Sequence, residues 1–244
     1  MSDLFVFTEA FNCGRLLIPF LDSYFQHHDE TIHIVMSKKD IEEAGSVLEN
    51  PKVVVIDVTD DQNFNRFWEH GHAGTALAFA SAIRFWGAGK KIIHFDSDVL
   101  FKQNCIDEIV EHLNNGYAAA GPMRAYKHNL GGHKQYANHP DAISTYAFGV
   151  DSTKIPEQEF SLFIQMCHGR VDPTGREVLD FFDPVTFSII DAGGKVKYLC
   201  EKDWGSTTHE GSLDNGFENN VHFNVGNKIV HFAGVGSGLA FEKG

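Results

Sequence analysis

Strand-forming and helix-forming segments alternate along the first half of this chain. Residues 4–7, 31–36 and 52–58 are short apolar or β-branched runs that predict strands. Apolar residues at helical spacing between residues 16 and 25, and again over 40–48, predict the intervening helices. This alternation predicts an α/β fold with a mainly parallel sheet and helices on both faces. In such sheets ligands bind beyond the carboxyl ends of the strands.

The pattern continues beyond residue 72 and becomes less regular in the second half, for which we predict an α+β arrangement. Asp183 and Pro184 are expected as the N-cap and first residue of a late helix. No internal repeat or linker divides the sequence, so we predict one domain over residues 1–244, with halves 1–121 and 122–244. The further predicted helices are 73–86, 105–114, 157–167 and 183–192, and the further strands are 92–95, 117–121, 146–150 and 196–199.

Acidic residues outnumber basic ones by 33 to 20, which gives a formal net charge of −13. The averaged field repels a phosphate backbone, so nucleic acid is not an expected partner. A protein of this charge that binds a nucleotide diphosphate needs a local positive charge, either a basic cluster or a bound divalent cation.

Cysteine spacing and hydropathy bear on the compartment. The four cysteines lie far apart without a C-x-x-C pair, which is typical of reduced thiols in a cytosolic protein. The sequence has no basic, apolar leader and no apolar run near the roughly 18 residues of a membrane span. A cytoplasmic protein without a transmembrane segment is therefore expected.

Two carboxylates follow the predicted strand 92–95. Strand pleating is expected to point Asp96 and Asp98 to the same side where the strand leaves the sheet. Neighbouring carboxylates repel each other, and a divalent cation relieves the repulsion. Oxygen ligands of this kind favour Mg²⁺ or Mn²⁺ over zinc. The alternative is that both residues only cap a turn.

The surrounding sequence KKIIHFDSDVLF, residues 90–101, resembles the D-x-D segment of GT-A glycosyltransferases. In that family the motif binds the metal that bridges the two phosphates of a nucleotide-sugar, and the metal stabilises the departing diphosphate. The resemblance implies that Asp98 binds metal directly and that Asp96 contacts the metal or the ribose. It also implies that Ser97 contacts the donor.

A second match lies near the C-terminus, where KIVHFAG, residues 228–234, is similar to the late H-x-x-G of glycogenin-like retaining enzymes. The resemblance implies that His231 is a third metal ligand. It also implies that the backbone of Gly234, Gly236 and Ser237 contacts phosphate. The sequence departs from the family because Ser237 stands near the place of an expected lysine.

The family resemblance implies further donor and acceptor contacts. The loop after the first strand and the end of the third strand would bind the nucleotide through Phe7, Thr8, Glu9, Phe11, Asp57 and Thr59. Asp180 and Asp183 resemble the acidic residue near the acceptor, which acts as general base in an inverting enzyme or positions substrates in a retaining one. Asp183 has the alternative role of helix cap, and His209 and Glu210 are further candidates.

Together these features predict a metal-dependent glycosyltransferase that moves a sugar from a UDP-sugar to a glycan or glycoconjugate hydroxyl, with retention. One alternative is a sugar-phosphate nucleotidyltransferase, although residues 8–15 are a poor version of its glycine-rich basic loop. The other is a carbohydrate-binding protein without catalysis. The sequence does not determine the donor sugar, the acceptor or the oligomeric state.

Overall fold

The computed structural model describes residues 3–67, 71–122, 143–156, 170–171, 177–178, 182–199, 204, 207–212 and 221–233. The strands are β1 Leu4–Ala10, β2 Ile32–Met36, β3 Val53–Asp57, β4 Lys91–Phe95, β5 Val99–Phe101, β6 Ala119–Pro122, β7 Ala147–Asp151, β8 Arg170–Val171, β9 Glu177–Val178, β10 Val196–Leu199, β11 Thr207–Ser212, β12 Val221–Val225 and β13 Ile229–Ala233. The α-helices are α1 Leu17–His27, α2 Lys38–Ala44, α3 Gln62–Phe67, α4 Gly71–Ser81, α5 Ile106–Asn114 and α6 Asp183–Asp191.

The central sheet has seven strands in the order β10-β6-β7-β4-β1-β2-β3. Six of them run in one direction, and β7 runs antiparallel to both of its neighbours, β4 and β6. The mainly parallel sheet expected from the sequence is confirmed. The reversal of β7 has a consequence for the site, because it brings the start of β7 to the edge where the parallel strands end.

Helices cover both faces of this sheet and bury a core on each. One core packs α1 and α5 against the sheet through residues such as Phe20, Tyr24 and Ile109. The other packs α4 and α6 through residues such as Phe79 and Val185. Helix α5 shows how the sequence forms these layers, since its buried residues recur at helical spacing and its first turn is acidic.

A second, four-stranded sheet in the order β11-β12-β13-β5 adjoins the first. Its edge strand β5 follows β4 after a three-residue turn, so the chain passes directly from one sheet into the other. The other three strands come from the end of the described chain. This connection places C-terminal residues beside the carboxyl end of β4.

Several predicted boundaries differ from the structure. Strand β1 continues to Ala10, beyond the predicted end at residue 7. Helix α2 begins at Lys38 because Ser37 caps it, and a 3₁₀ helix, Gly45–Glu49, replaces its predicted last turn. The alanine-rich helix α4 ends in a π-helical turn, Ala82–Trp86. The predicted helix 157–167 lies outside the described residues.

The described residues include two of the four cysteines. Cys13 and Cys105 are buried free thiols. Among the helices in the described part of the chain, none is both long enough and apolar enough to span a membrane.

Candidate metal centre

Asp96, Ser97 and Asp98 form the turn between β4 and β5. The backbone N–H of Asp96 donates to the Tyr146 carbonyl over 3.0 Å, which fixes where the turn begins. The two carboxylates do lie close together, but the expected reason is wrong. Because β4 ends at Phe95, a turn into the second sheet brings them together, and the pleat of a continuing strand does not.

His231 reaches the same place through the pairing of β13 with β5. His231 lies opposite Val99, and the N–H of Phe232 donates to the carbonyl of Asp98 over 3.0 Å. Nε2 of His231 is 3.3 Å from Oδ1 of Asp98 and 3.9 Å from Oδ2 of Asp96. One ligand atom from each of the three residues lies within 4.8 Å of the other two. The structure therefore brings the three predicted metal ligands together.

The donor set and its burial fit a divalent cation. Oδ1 of Asp98 is buried, and apart from its 3.3 Å contact with Nε2 of His231 it makes no hydrogen bond with any residue that the structure describes. A buried oxygen with so little compensation is costly. The Asp96 side chain is 25% exposed, whereas those of Asp98 and His231 are 11% and 14% exposed. Two carboxylates and one imidazole at a partly open site suit Mn²⁺ or Mg²⁺ with further positions for other ligands.

The charges around Asp96 also favour a bound cation. Burial raises the pKa of Asp96 above its usual value, and the negative charges of Asp98 and Glu9 add to the rise, while His94 and His231 oppose it. A buried carboxylate next to other carboxylates lacks the positive charge that would stabilise its ionised form. A cation bound beside Asp96 would supply that charge.

Behind Asp96 lies a buried pair that the sequence analysis did not single out. Nε2 of His94 is 2.7 Å from Oε2 of Glu9 and 3.8 Å from Oδ1 of Asp96. Burial alone lowers the pKa of His94, but the charges of Glu9 and Asp96 outweigh it, so the pKa is raised. The signal in the sequence was a histidine inside an apolar strand, because a buried polar side chain requires a partner.

The residues just before β7 support the site from the other side. The Thr145 carbonyl accepts a hydrogen bond from Nδ1 of His94 over 3.1 Å. The ring of Tyr146 stacks on His231 with 4.6 Å between ring centroids. These contacts follow from the reversed direction of β7, which the sequence did not predict.

The loop after β1 is closed by a buried carboxylate. Oδ1 of Asp40 accepts from the N–H groups of Cys13 and Gly14, at 2.9 and 3.1 Å, and its other oxygen accepts from the Ser37 hydroxyl. A Cβ atom on Gly14 would lie 2.3 Å from the Asp40 carbonyl oxygen, so the close approach requires glycine here. Backbone donors that could bind a phosphate are therefore already occupied by a negative group.

The predicted donor contacts at β1 differ from expectation. Thr8 and Glu9 lie in the strand with Phe7 and not in the loop after it, because the strand is longer than predicted. Phe7 is fully buried in one of the cores, Thr8 is fully buried, and Glu9 is 6% exposed and bonded to His94. Phe11 follows the strand, is 8% exposed and lies against Phe64.

Ser97 and the end of β3 were also predicted to contact the donor. Ser97 is 8% exposed, and its hydroxyl lies 3.6 Å from the Cys13 sulfur, so the side chain joins the turn to the β1 loop. Burial raises the pKa of the Cys13 thiol to about 12. Asp57 is exposed, and its Oδ1 accepts from the N–H and hydroxyl of Thr59, which lowers the pKa of Asp57.

Asp183 is the first residue of α6 and not its N-cap, which is Phe182. The prediction was displaced by one residue because Asp183 itself takes helical geometry before Pro184. Its side chain is fully buried, and it is not part of the cluster of metal-ligand atoms. Asp180, Gly234, Gly236 and Ser237 lie outside the described residues, and His209 and Glu210 lie in β11.

Known proteins are similar to this chain in structure, whereas no sequence match is found. No protein-family model matches this chain, and no curated protein matches it in sequence. The structure is similar to the apo form of mouse xyloside xylosyltransferase 1, with 14% identity, a TM-score of 0.52, and coverage of 81% of this chain and 85% of that chain.

Two further solved structures are similar at lower scores. The bifunctional glycosyltransferase WbbM has 14% identity and a TM-score of 0.49, covering 80% of this chain and 38% of that chain. A putative glucose-1-phosphate thymidylyltransferase from Bacillus anthracis has 16% identity and a TM-score of 0.47, covering 81% of this chain and 86% of that chain. The similarity to the xyloside xylosyltransferase structure shows that the fold is the Rossmann-like α/β fold of GT-A proteins.

Proposed function

We propose that this protein is a metal-dependent glycosyltransferase that moves a sugar from a nucleotide-sugar, a UDP-sugar, to a hydroxyl of a glycan or glycoconjugate. The observation that carries the proposal is the convergence of Asp96, Asp98 and His231 where the parallel strands end. This edge is where proteins with open α/β sheets bind their ligands.

The need for a cation follows from the charge of the molecule. A chain with a net charge of −13 does not attract a diphosphate. The loop after β1 does not offset this, because the Asp40 carboxylate occupies its N–H groups. A divalent ion held by the three ligands is a compact source of the missing positive charge.

Each residue then has a defined role. Asp96, Asp98 and His231 hold Mn²⁺ or Mg²⁺, which supplies Lewis-acid stabilisation of the departing diphosphate when bound. Tyr146 keeps the His231 imidazole in place by stacking on it. The backbone at Gly234, Gly236 and Ser237 contacts phosphate, and Phe11, Asp57 and Ser97 are the remaining proposed donor contacts. The pattern of His231 and Gly234 supports retention of configuration.

On the acceptor side, Asp180 and Asp183 stay the proposed acidic residues. Asp183 lies in the first turn of α6, where the helix dipole favours a negative side chain, and its burial supports a structural role. We therefore propose Asp180 as the acidic residue that contacts the acceptor. Replacing Asp180 by Asn should lower kcat and leave UDP affinity unchanged.

The nucleotidyltransferase alternative is less well supported. Such an enzyme would use backbone N–H groups and basic residues after the first strand to hold phosphates, whereas here Asp40 fills that position. A carbohydrate-binding protein without catalysis does not require a metal, so three converging metal ligands favour the enzyme. The titration described next distinguishes both alternatives from the proposal.

The test is calorimetric titration of UDP and of GDP into metal-stripped protein, with and without Mn²⁺, repeated on Asp98→Asn. We expect metal-dependent binding of UDP that the substitution abolishes. Glu108→Gln is a matched control, because Glu108 is a partly exposed carboxylate paired with Lys228 and is not among the clustered ligands. Nucleotide binding that is independent of Mn²⁺, or no nucleotide binding at all, would overturn the proposal.

A further inference from the structure

The Glu9–His94 pair has no role in the proposal above, and its geometry gives it one. Glu9 lies on β1 and His94 on β4, two neighbouring parallel strands in which Phe7 is the partner of His94. Side chains two residues apart on a strand share a face, so Glu9 lies on the same face as Phe7 and His94. Asp96 follows the end of β4, in the turn that leads to β5.

Ring contacts and hydrogen bonds fix the position of the His94 imidazole. It lies between two rings, with centroids 4.9 Å away for Phe7 and 4.8 Å for Phe148. Nδ1 donates to the Thr145 carbonyl, because a carbonyl can only accept. The side chain has no exposed surface, so its Nε2 has a fixed position and direction.

The contact between His94 and Glu9 contains one proton. Since Nδ1 already carries a proton, the 2.7 Å contact from Nε2 to Oε2 requires either an imidazolium facing a carboxylate or a neutral imidazole facing a carboxylic acid. Both descriptions give the pair a net charge of zero. In the first, the positive end of the pair faces Asp96.

Asp96 divides its two oxygens between two histidines. Oδ1 lies 3.8 Å from Nε2 of His94, and Oδ2 lies 3.9 Å from Nε2 of His231. One oxygen is therefore directed to the buried imidazole of His94, and the other faces His231. This is the orientation that a carboxylate needs to bind an ion through Oδ2.

We propose that Glu9 and His94 are positioning residues that orient Asp96 as a metal ligand through a single oxygen. The inference rests on the proposed metal centre. One ligand atom from each of Glu9, His94 and Asp96 also lies within 4.8 Å of the other two. Neighbouring ligands of an octahedral ion with bonds of about 2.1 Å lie about 3 Å apart, so we interpret the shorter 2.7 Å contact between His94 and Glu9 as a hydrogen bond.

The test measures Mn²⁺ affinity and stoichiometry by calorimetry, without nucleotide, for the wild type, Glu9→Gln and His94→Gln. Each variant should weaken Mn²⁺ binding about 10- to 100-fold, the usual range for residues that orient a metal ligand. One Mn²⁺ should bind per chain in the wild type. The electron paramagnetic resonance spectrum of bound Mn²⁺ should also change in Glu9→Gln.

His33→Gln is the matched control. His33 lies on the neighbouring strand β2, its Nδ1 bonds to the Val6 carbonyl, and it stacks on Phe5, but it is not one of the clustered ligands. This variant should keep wild-type Mn²⁺ affinity. If His94→Gln does not fold, Glu9→Gln decides, because it keeps the size of the side chain and the possibility of a hydrogen bond.

The outcomes separate this inference from the proposed function. Wild-type protein that binds no Mn²⁺ would contradict the metal centre itself. Wild-type Mn²⁺ affinity in folded Glu9→Gln would overturn the positioning role and leave the metal centre intact. Two Mn²⁺ ions per chain, falling to one in Glu9→Gln, would show that the pair is a second metal site and would also overturn it.

Discussion

The backbone N–H of Phe232 donates to the carbonyl oxygen of Asp98 over 3.0 Å. This bond extends the pairing of β13 with β5 up to the D-x-D turn, and it places His231 beside Asp98. Two segments far apart in the sequence therefore meet through backbone pairing. The side chains that form the candidate metal centre depend on the register of that pairing.

Replacing Phe232 by Pro removes this N–H and should weaken Mn²⁺ binding at least about tenfold, because Asp98 and His231 lose their common register. The Asp98 carbonyl would also lose its donor, which costs up to about 3 kcal/mol of stability when such a group is buried. Phe232→Ala keeps the N–H and should keep Mn²⁺ affinity despite some loss of packing. Calorimetry on both variants checks the prediction, and equal affinities would contradict it.

Replacing Asp98 by Asn should make the free energy of unfolding independent of Mn²⁺. The change removes a charge from a buried oxygen for which the described residues provide no hydrogen bond, so the free energy of unfolding without metal should lie within about 1 kcal/mol of wild type or above it. With Mn²⁺ at 100 times its Kd, the wild type should gain about 2.7 kcal/mol and the variant nothing. Urea unfolding with and without Mn²⁺ measures both. A metal-free variant much less stable than wild type would refute the charge argument.

His28 should make stability depend on pH. Its Nε2 accepts from the Cys105 N–H at 3.1 Å, its Nδ1 bonds to the Tyr24 carbonyl, and burial lowers its pKa from 6.5 to about 4. A lowered folded-state pKa favours the neutral ring, so this contribution is complete above pH 6.5 and is lost as pH falls toward 4. The loss should approach about 3 kcal/mol.

Urea unfolding between pH 7 and 4 checks the His28 prediction. His28→Gln should flatten the profile across this interval, whereas the same change at the neighbouring His27 should leave the slope in place. A slope that persists in His28→Gln would assign the pH dependence to other groups.

Asp40 should stabilise the loop after β1. Replacing Asp40 by Ala leaves the N–H groups of Cys13 and Gly14 without their acceptor and should lower the free energy of unfolding by roughly 2 to 5 kcal/mol. Asp40→Asn keeps an oxygen for both donors and should lose less. Equal losses for the two variants would show that charge, and not hydrogen bonding, is what the loop requires.

Local patterns in the sequence determined the layers of this protein. Runs such as Ile32–Met36 and Val53–Asp57 are rich in β-branched residues, and their alternation with helices was sufficient to predict a mainly parallel sheet. The position of Asp96 and Asp98 at the end of a strand also followed from local sequence. Each of these features depends on residues that are close together in the sequence, so the hydrophobic periodicity of the sequence is sufficient to predict it.

The tertiary structure decided which distant side chains meet. The reversed strand β7 brings Thr145 and Tyr146 to the site, the register of β1 with β4 places the Glu9 side chain within reach of His94, and β13 brings in His231. His231 was expected from a family resemblance and not from its neighbours in the chain. Register between distant strands results from packing the whole sheet, and a shift of one residue would turn these side chains to the other face.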